Sequence, residues 1–189
     1  MNPLVVPPGV PLPVYCLDKQ GEPFGVRLLR ADEQPGLEAF YAEFEPKRAA
    51  QGLPPLGAER VAQWLSAVLP DGVHLVVDVA GAIRGHAFLV PGNRDDEVEY
   101  AIFLDKRVRG RGVGTRVNEV AIAVARALGR RRLWLSVEQH NRPAIRSYQN
   151  VGFRFLPGTL FSDEVEMELE LGNLPASPPP CAEPVALRS

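Results

Sequence analysis

The densest cluster of side chains that could bind an anionic ligand lies in one segment, from Asp105 to Arg132. This segment holds nine basic residues against two acidic ones, Asp105 and Glu119, and its local charge is +7. The whole chain has 189 residues and a formal charge of −2, so the remainder carries −9. The total charge is too small to indicate a nucleic-acid or membrane partner. A chain that is nearly neutral overall is therefore polarised along its sequence.

The centre of the basic segment is a glycine-rich stretch, which reads Arg109-Gly110-Arg111-Gly112-Val113-Gly114-Thr115. It follows a strand-like run and opens a helix-like one. Glycine lets the backbone approach a ligand closely, and a helix N-terminus presents unpaired N–H groups with about half a positive charge. The stretch therefore predicts a loop that binds phosphate oxygens. It lacks the Gly-Lys-Ser/Thr of a nucleotide P-loop and the spacing of the dinucleotide fingerprint, and it follows a late strand rather than a first one.

The rest of the chain supplies the elements that position this loop. Periodicity and turn residues predict strands over 14–17, 24–29, 74–79, 82–90, 97–104, 133–137, 153–155 and 162–171, with a turn at 18–21. They predict helices over 32–44 with Asp32 as cap, 58–69, 113–128, and 142–151 with Asn141 as cap. The strands on either side of the 113–128 helix imply a right-handed crossover and a parallel pair. The predicted class is α/β, an α+β mixed sheet with helices on both faces.

The 113–128 helix has the most regular pattern. Its apolar stripe consists of Val113, Val117, Val120, Ala121, Val124 and Leu128. We expect the polar residues Thr115, Asn118, Glu119 and Arg126 to lie off that stripe.

Two signatures together resemble the GNAT family of N-acetyltransferases. Arg109-x-x-Gly112-x-Gly114, between a strand and an amphipathic helix, is similar to the family's pyrophosphate loop, Gln/Arg-x-x-Gly-x-Gly/Ala. Asn141-x-x-Ala144-x-x-x-Tyr148-x-x-x-Gly152-Phe153 resembles the family's second signature at the expected distance. The order of elements also matches, so the resemblance covers residues 24–171. It implies the GNAT fold, a mostly antiparallel central sheet with one parallel, splayed strand pair.

The resemblance implies acetyl-coenzyme A as co-substrate and no metal. The backbone amides of the loop would hold the pyrophosphate, and the surrounding arginines would attract the 3′-phosphate. Pantetheine would lie between the splayed strands, with its thioester carbonyl near the backbone N–H of Leu104. In the family Asn141 commonly contacts the cofactor, although from the residue alone it is also a helix cap. The implied cofactor-binding residues are Phe103, Leu104, Arg109, Gly110, Arg111, Gly112, Val113, Gly114, Thr115 and Asn141.

The implied reaction is direct acyl transfer, in which a neutral amine attacks the thioester and the thiolate leaves. An alkylamine with a pKa of about 10.4 is mostly protonated at pH 7, so a base is needed, directly or through water. Glu99 matches a position at which family members carry the base. Alternation places Glu97, Glu99, Ala101 and Phe103 on one face of their strand, which makes Glu97 a second candidate. The alternative is that both glutamates lie on the solvated face of the sheet.

One tyrosine and three histidines could have either chemical or structural roles. Tyr148 matches the family's acid and could protonate the departing sulfur, or it could pack between helix and sheet. His140 could orient a water or lie on the surface. His74 and His86 occur in hydrophobic strand patterns and are expected to be core or edge histidines.

The acceptor amine has no recognisable signature. It could be a small molecule, a protein lysine or an N-terminus, and the resemblance places its site at 44–60, with Lys47, Arg48, Gln51 and Trp64 nearby. Two alternative functions are a catalytically inactive sensor that binds coenzyme A and an RGG-like nucleic-acid-binding module at Arg109-Gly110-Arg111-Gly112. We expect no nucleic-acid or membrane partner, and leave a homodimer open.

Proline marks the two ends of the chain. Of 19 prolines, about twice the usual share, eleven lie in two short terminal segments. We predict a Pro-rich arm with the start of a hairpin (1–23), an acetyltransferase domain (24–171) and a Pro-rich tail (172–189), and expect the arms to pack on their own domain or on a neighbouring subunit. Residues 4–17 are uncharged but have no preceding Lys or Arg, so no signal peptide is predicted and a cytoplasmic location is expected.

Overall fold

A computed structural model describes residues 4–46, 53–159 and 163–172. The strands are β1 (Val14–Leu17), β2 (Pro23–Leu28), β3 (Val73–Val79), β4 (Ala82–Pro91), β5 (Glu97–Leu104), β6 (Arg132–Glu138), β7 (Arg154–Phe155) and β8 (Glu164–Glu170). The helices are α1 (Gln34–Glu43), α2 (Ala58–Val68), α3 (Val113–Ala127) and α4 (Arg142–Asn150). In the described residues the strands form one sheet in the order β1-β2-β3-β4-β5-β6-β8-β7.

The centre of the sheet contains its parallel strand pair. Neighbouring strands pair antiparallel throughout the described residues except β5 and β6, which are parallel. The β5–β6 pairing extends from Glu97 opposite Arg132 to Glu99 opposite Trp134. Beyond these residues β5 continues to Leu104 and β6 to Glu138 without pairing with each other, so the two strands diverge. The predicted mixed sheet and its splayed parallel pair are confirmed.

Helices α3 and α4 cover one face of the sheet. Val117, Val120, Ala121 and Val124 of α3 are buried against apolar residues of the central strands. The predicted apolar stripe is therefore confirmed, but the prediction for Asn118 is wrong. Asn118 is buried, because its side-chain amide has hydrogen-bond partners within the core.

Helices α1 and α2 cover the other face. Leu37, Phe40 and Tyr41 of α1 pack with Val61 and Leu65 of α2 in a second core cluster, which includes Phe88 and Phe103 of the sheet. Helix α1 begins at Gln34 with Glu33 as its N-cap residue, not with Asp32 as predicted. The Asp32 carboxylate pairs with Arg30 instead, and Pro35 in the first turn favours the later start.

The N-terminal segment packs against the domain as far as the structure describes it. Leu4 is buried in the core on the α3 face, and Val6, Val10 and Leu12 pack against that core. Strand β1 extends the sheet at its edge. Residues 173–189, and the predicted strand start at 162, lie outside the described residues, and the three predicted parts of the chain stay a prediction. No helix among the described residues has the length and apolar character needed to cross a membrane.

Candidate active site

The gap between β5 and β6 exposes an edge of the β5 backbone. The N–H of Asp105, just after β5, donates to the carbonyl of Arg84 at 2.9 Å. Because hydrogen-bonding direction alternates along an antiparallel strand, the N–H groups of Ile102 and Leu104 point to the opposite edge, where β6 has diverged. The Leu104 carbonyl on that edge accepts a hydrogen bond from Arg109 Nε at 2.8 Å. The position predicted for the thioester contact thus carries a backbone donor facing the gap.

The glycine-rich loop joins the end of β5 to the start of α3. Gly112 is the N-cap residue of α3 and has a φ of +87°, a conformation that side chains with a Cβ adopt with strain. A Cβ at Gly114 would lie 3.3 Å from Leu104 Cδ1, so this position also requires a small residue for close packing. The loop therefore has the backbone geometry that phosphate binding at a helix N-terminus needs, and the residues fit a pyrophosphate.

The arginines around the loop are bound to protein groups. Arg107 pairs with Asp105 and with Glu43, and this guanidinium holds the pKa of Asp105 below its usual value. Arg111 forms an ion pair with Asp18. The side chain of Arg109 donates to the carbonyls of Leu104 and Glu45 and stacks on the Phe44 ring at 5.3 Å. The arginine side chains on which the 3′-phosphate prediction depends thus already have protein partners, and that contact stays a prediction.

Glu97 and Glu99 lie on the α1/α2 face of β5, as alternation predicts, but in different surroundings. Glu97 is buried, with its side chain in the space over Gly92, whereas Glu99 is exposed. Partial enclosure of the Glu99 carboxyl raises its pKa, and the negative charge of Glu97 raises it further. Glu99 is therefore open to solvent and Glu97 is not, and the role of either carboxylate as base stays a prediction.

Tyr148 of α4 lies on the other face. Its ring contacts those of Phe153 and Tyr100, with centroids 5.7 and 6.5 Å apart, and the residue is 6% exposed. Burial raises the pKa of its hydroxyl, so the proton is retained at neutral pH. Within the described residues the hydroxyl has no hydrogen-bond partner. Tyr148 is thus packed through its ring and has a donor that remains available.

A polar network that the sequence did not reveal connects the loop to α4. The Tyr100 hydroxyl donates to Asn118 Oδ1 at 2.8 Å, and Asn118 Nδ2 donates to Ser147 Oγ at 3.0 Å. Ser147 Oγ lies 3.2 Å from Thr115 Oγ1 in the first turn of α3. The network fixes the helix that carries Tyr148 to the end of the glycine loop. The spacing of Thr115 and Asn118, three residues apart on one helix face, was the available signal.

The remaining predicted site residues lie at the edge of this arrangement. Asn141 caps α4 by accepting a hydrogen bond from the Ala144 N–H at 3.3 Å, which confirms its predicted capping role, and its cofactor contact stays a prediction. His140 is exposed, with Nε2 3.6 Å from Glu138 Oε2. Trp64 is half-buried among aromatic rings, and Lys47, Arg48 and Gln51 lie outside the described residues.

His74 and His86 belong to a buried hydrogen-bond chain on the α1/α2 face, as predicted for core histidines. His74 Nε2 lies 3.2 Å from the Val68 carbonyl, His86 Nε2 lies 3.0 Å from His74 Nδ1, and the Tyr41 hydroxyl lies 2.7 Å from His86 Nδ1. Burial lowers the pKa of His74 to about 4 and that of His86 well below its usual value. The Val68 carbonyl can only accept, so His74 Nε2 donates to it and His74 Nδ1 accepts from His86 Nε2. His86 Nδ1 then accepts from the Tyr41 hydroxyl.

A family model and a curated relative match this chain. A family model described as the acetyltransferase (GNAT) family matches residues 27–153. The chain is 26% identical over 155 residues to the Bacillus subtilis (strain 168) protein named "Putative phosphinothricin acetyltransferase YwnH", covering 76% of this chain and 95% of that protein.

Solved structures show the same fold. The GNAT domain of S. lividans PAT superposes with a TM-score of 0.68 at 22% identity, covering 84% of this chain and 97% of that one. A GNAT superfamily phosphinothricin acetyltransferase from Sinorhizobium meliloti, solved in complex with acetyl-coenzyme A, has a TM-score of 0.62 at 23% identity, covering 78% of this chain and 88% of that one.

Proposed function

The chain belongs to the acetyltransferase (GNAT) family and is an acetyl-coenzyme A-dependent N-acetyltransferase, and on this premise we propose that it acetylates a cationic primary amine by direct attack. We assign Glu99 as the base and Tyr148 as the acid. The observation that carries this proposal is that the two residues lie on opposite sides of the sheet, Glu99 on β5 and Tyr148 on α4 against Tyr100 of β5. Both are beside the point where β5 and β6 diverge.

Acetyl-coenzyme A supplies an acetyl group on a thioester, which is electrophilic at its carbonyl carbon. In our proposal the N–H of Leu104 donates to the thioester oxygen, and the amides of the Gly110–Gly114 stretch bind the pyrophosphate. A backbone donor at the end of a strand needs no reorganisation when the carbonyl oxygen gains charge. Both contacts depend on positions that the glycine loop and the strand gap fix.

The charges around Glu99 favour a cationic acceptor. Glu97 and Glu99 lie on the same face of β5, and in-register pairing continues that face through Trp134 of β6 to Glu168 of β8. The other residues of β8 on this face are Glu164, Glu166 and Glu170. Arg132 and Arg154 lie on the same face, but the glutamates outnumber them, so an ammonium group approaching Glu99 along this face is attracted. Glu99 then accepts a proton from it, directly or through water, and the neutral amine attacks.

Tyr148 completes the proton balance in this proposal. As the C–S bond breaks, sulfur takes the electron pair and the proton of the Tyr148 hydroxyl. The nitrogen, which is cationic once the C–N bond has formed, passes its second proton through water to the Tyr148 phenolate, and Glu99 releases the first proton to solvent. A hydroxyl with a raised pKa and no partner among the described residues keeps its proton until the thiolate forms.

A panel of amines tests the proposal. Purified protein and acetyl-coenzyme A are incubated with spermidine, an aminoglycoside, a lysine-containing peptide, a peptide with a free N-terminus and phosphinothricin, and acetylated products are identified by mass spectrometry. We expect transfer to a cationic amine and a lower rate with phosphinothricin, whose acidic groups the carboxylate face repels. Transfer to phosphinothricin alone, or thioester hydrolysis without any acetylated amine, would overturn the proposal.

A further inference from the structure

The turn between β1 and β2 is a well-defined structure. The N–H of Asp18 donates to the Glu22 carbonyl at 2.9 Å, and the N–H of Gly21 donates to the Asp18 carbonyl at 3.0 Å. The Asp18 carboxylate accepts from the N–H groups of Gln20 and Glu22 at 2.8 and 3.1 Å. An aspartate that binds its own turn in this way holds the next residue, Lys19, in a fixed place.

This turn lies against the glycine loop. The N–H of Lys19 donates to the carbonyl of Arg111 at 3.0 Å, and the Asp18 carboxylate forms an ion pair with Arg111. The side chain of Lys19 runs beside Gly112, where its Cγ, Cε and Cδ lie 3.4, 3.5 and 3.8 Å from the position that a Cβ would take. Three contacts thus bring a cationic side chain to the N-terminus of α3.

Lys19 differs from the cations of the loop itself. Arg107 and Arg111 are in ion pairs, Lys106 pairs with Glu45 at 3.2 Å, and Arg109 binds backbone carbonyls. Lys19 is exposed, and its ammonium forms no ion pair with any residue that the structure describes. Its charge is therefore the least compensated one beside Gly112.

We propose that the β1–β2 turn forms part of the coenzyme A site and that the Lys19 ammonium binds the pyrophosphate held by the glycine loop. The backbone amides at the start of α3 carry partial charges only, and a phosphate diester anion bound there gains from a full positive charge nearby. This contact lies outside the sequence signatures of the loop and of α4. The proposal can be tested without knowing the acceptor, because coenzyme A binding is measured in the absence of an amine.

Calorimetric titration with coenzyme A tests the role of Lys19. Lys19→Met removes the charge but keeps an unbranched side chain over Gly112, and we expect its Kd to rise about tenfold. Lys106→Met is the matched control, since it removes one charge from a lysine that is already paired with Glu45. We expect its Kd to stay within about twofold of the wild type. An unchanged Kd in Lys19→Met, or equal losses in both variants, would overturn the proposal.

Dephospho-coenzyme A separates the two phosphate sources. It lacks the 3′-phosphate but keeps the pyrophosphate, so we expect the same fold-loss in Lys19→Met for both ligands. A loss seen with coenzyme A and absent with dephospho-coenzyme A would overturn the assignment to the pyrophosphate.

Chemical labelling provides a readout on the wild-type protein. The chain has three lysines, Lys19, Lys47 and Lys106, so acylation by an N-hydroxysuccinimide ester can be followed at each by mass spectrometry. We expect saturating coenzyme A to slow labelling of Lys19 several-fold and to leave Lys106 unchanged. Equal labelling of Lys19 with and without coenzyme A would contradict the proposal.

Discussion

The hydroxyl of Tyr148 distinguishes a residue that only packs from one that also donates a proton. The ring packs against Tyr100 and Phe153 and would do so equally as phenylalanine. Replacing Tyr148 by Phe removes only the proton donor, so we expect kcat to fall by about a hundredfold while the Kd for acetyl-coenzyme A is unchanged. Tyr15→Phe, at an exposed position, is the matched control. Equal kcat values for Tyr148→Phe and wild type would exclude Tyr148 as the acid.

The Glu97–Glu99 pair predicts a particular pH dependence. A base must be deprotonated, so kcat/KM falls as the pH is lowered through the pKa of Glu99, and that pKa lies above the ordinary glutamate value. Glu97→Gln removes the neighbouring negative charge. The acid limb of the pH profile should then move to lower pH, whereas Glu99→Gln should lower the rate and remove the limb. Circular dichroism at each pH confirms that the variants remain folded.

An acid limb at the same pH in wild type and Glu97→Gln would show that a group other than Glu99 controls the limb.

The common face of Glu97 and Glu99 follows from strand alternation alone. Their different exposure does not, because it depends on the chain folding back at Gly92 so that the Glu97 side chain covers that glycine.

At the scale of elements, the glycine loop can be tested against a glycine of similar conformation elsewhere. Gly112 has a φ of +87°, and Gly129, just beyond the C-terminal end of α3, has a φ of +69°. Alanine at either position should lower the free energy of unfolding by about 1–2 kcal/mol. Gly112→Ala should also raise the Kd for coenzyme A about tenfold, because its backbone forms the phosphate site and its Cβ would contact Lys19. Gly129→Ala should leave that Kd unchanged.

Chemical denaturation and calorimetry measure the two effects separately. If Gly129→Ala weakened coenzyme A binding as much as Gly112→Ala, the loss would come from general destabilisation.

The bounds of most strands and helices were predictable to within two residues, because hydrophobic periodicity and turn residues are local signals. The docking of the β1–β2 turn on the glycine loop was not predictable, because Lys19 and Arg111 are distant in the chain and their contact arises from the assembled sheet.

At the scale of the molecule, the uneven charge of the sequence is balanced by folding. The basic segment places its arginines and lysine beside carboxylates from other elements, such as Glu43 and Glu45 at the end of α1 and Asp18 of the β1–β2 turn. The sequence showed the excess of charge but not its partners. The glutamates of β5 and β8 share one face with Arg132, which pairs with Glu170, so this face stays acidic on balance where we place the acceptor.

The buried chain from Tyr41 through His86 and His74 makes the stability of the whole fold sensitive to acid. Its rings are neutral in the folded protein, and the pKa of His74 is about 4 compared with 6.5 when unfolded. Protons bind the unfolded state more tightly, so the free energy of unfolding decreases as the pH falls from about 6.5 to about 4. At about 1.4 kcal/mol per pK unit, His74 lowers the free energy of unfolding by about 3 kcal/mol over this range. The lowered pKa of His86 adds to this decrease.

Urea denaturation across this pH range measures the slope. His74→Gln has no group that titrates there, so we expect a lower overall stability with a shallower decrease toward acid pH, while His140→Gln on the surface keeps the wild-type slope. The Glu33 carboxylate acts in a different range, because the Arg27 hydrogen bond lowers its pKa to about 2 and its contribution is lost as the pH falls below about 4.5. A wild-type stability that stays constant down to pH 4.5, or equal slopes in His74→Gln and wild type, would rule out the histidine pair as the source of acid sensitivity.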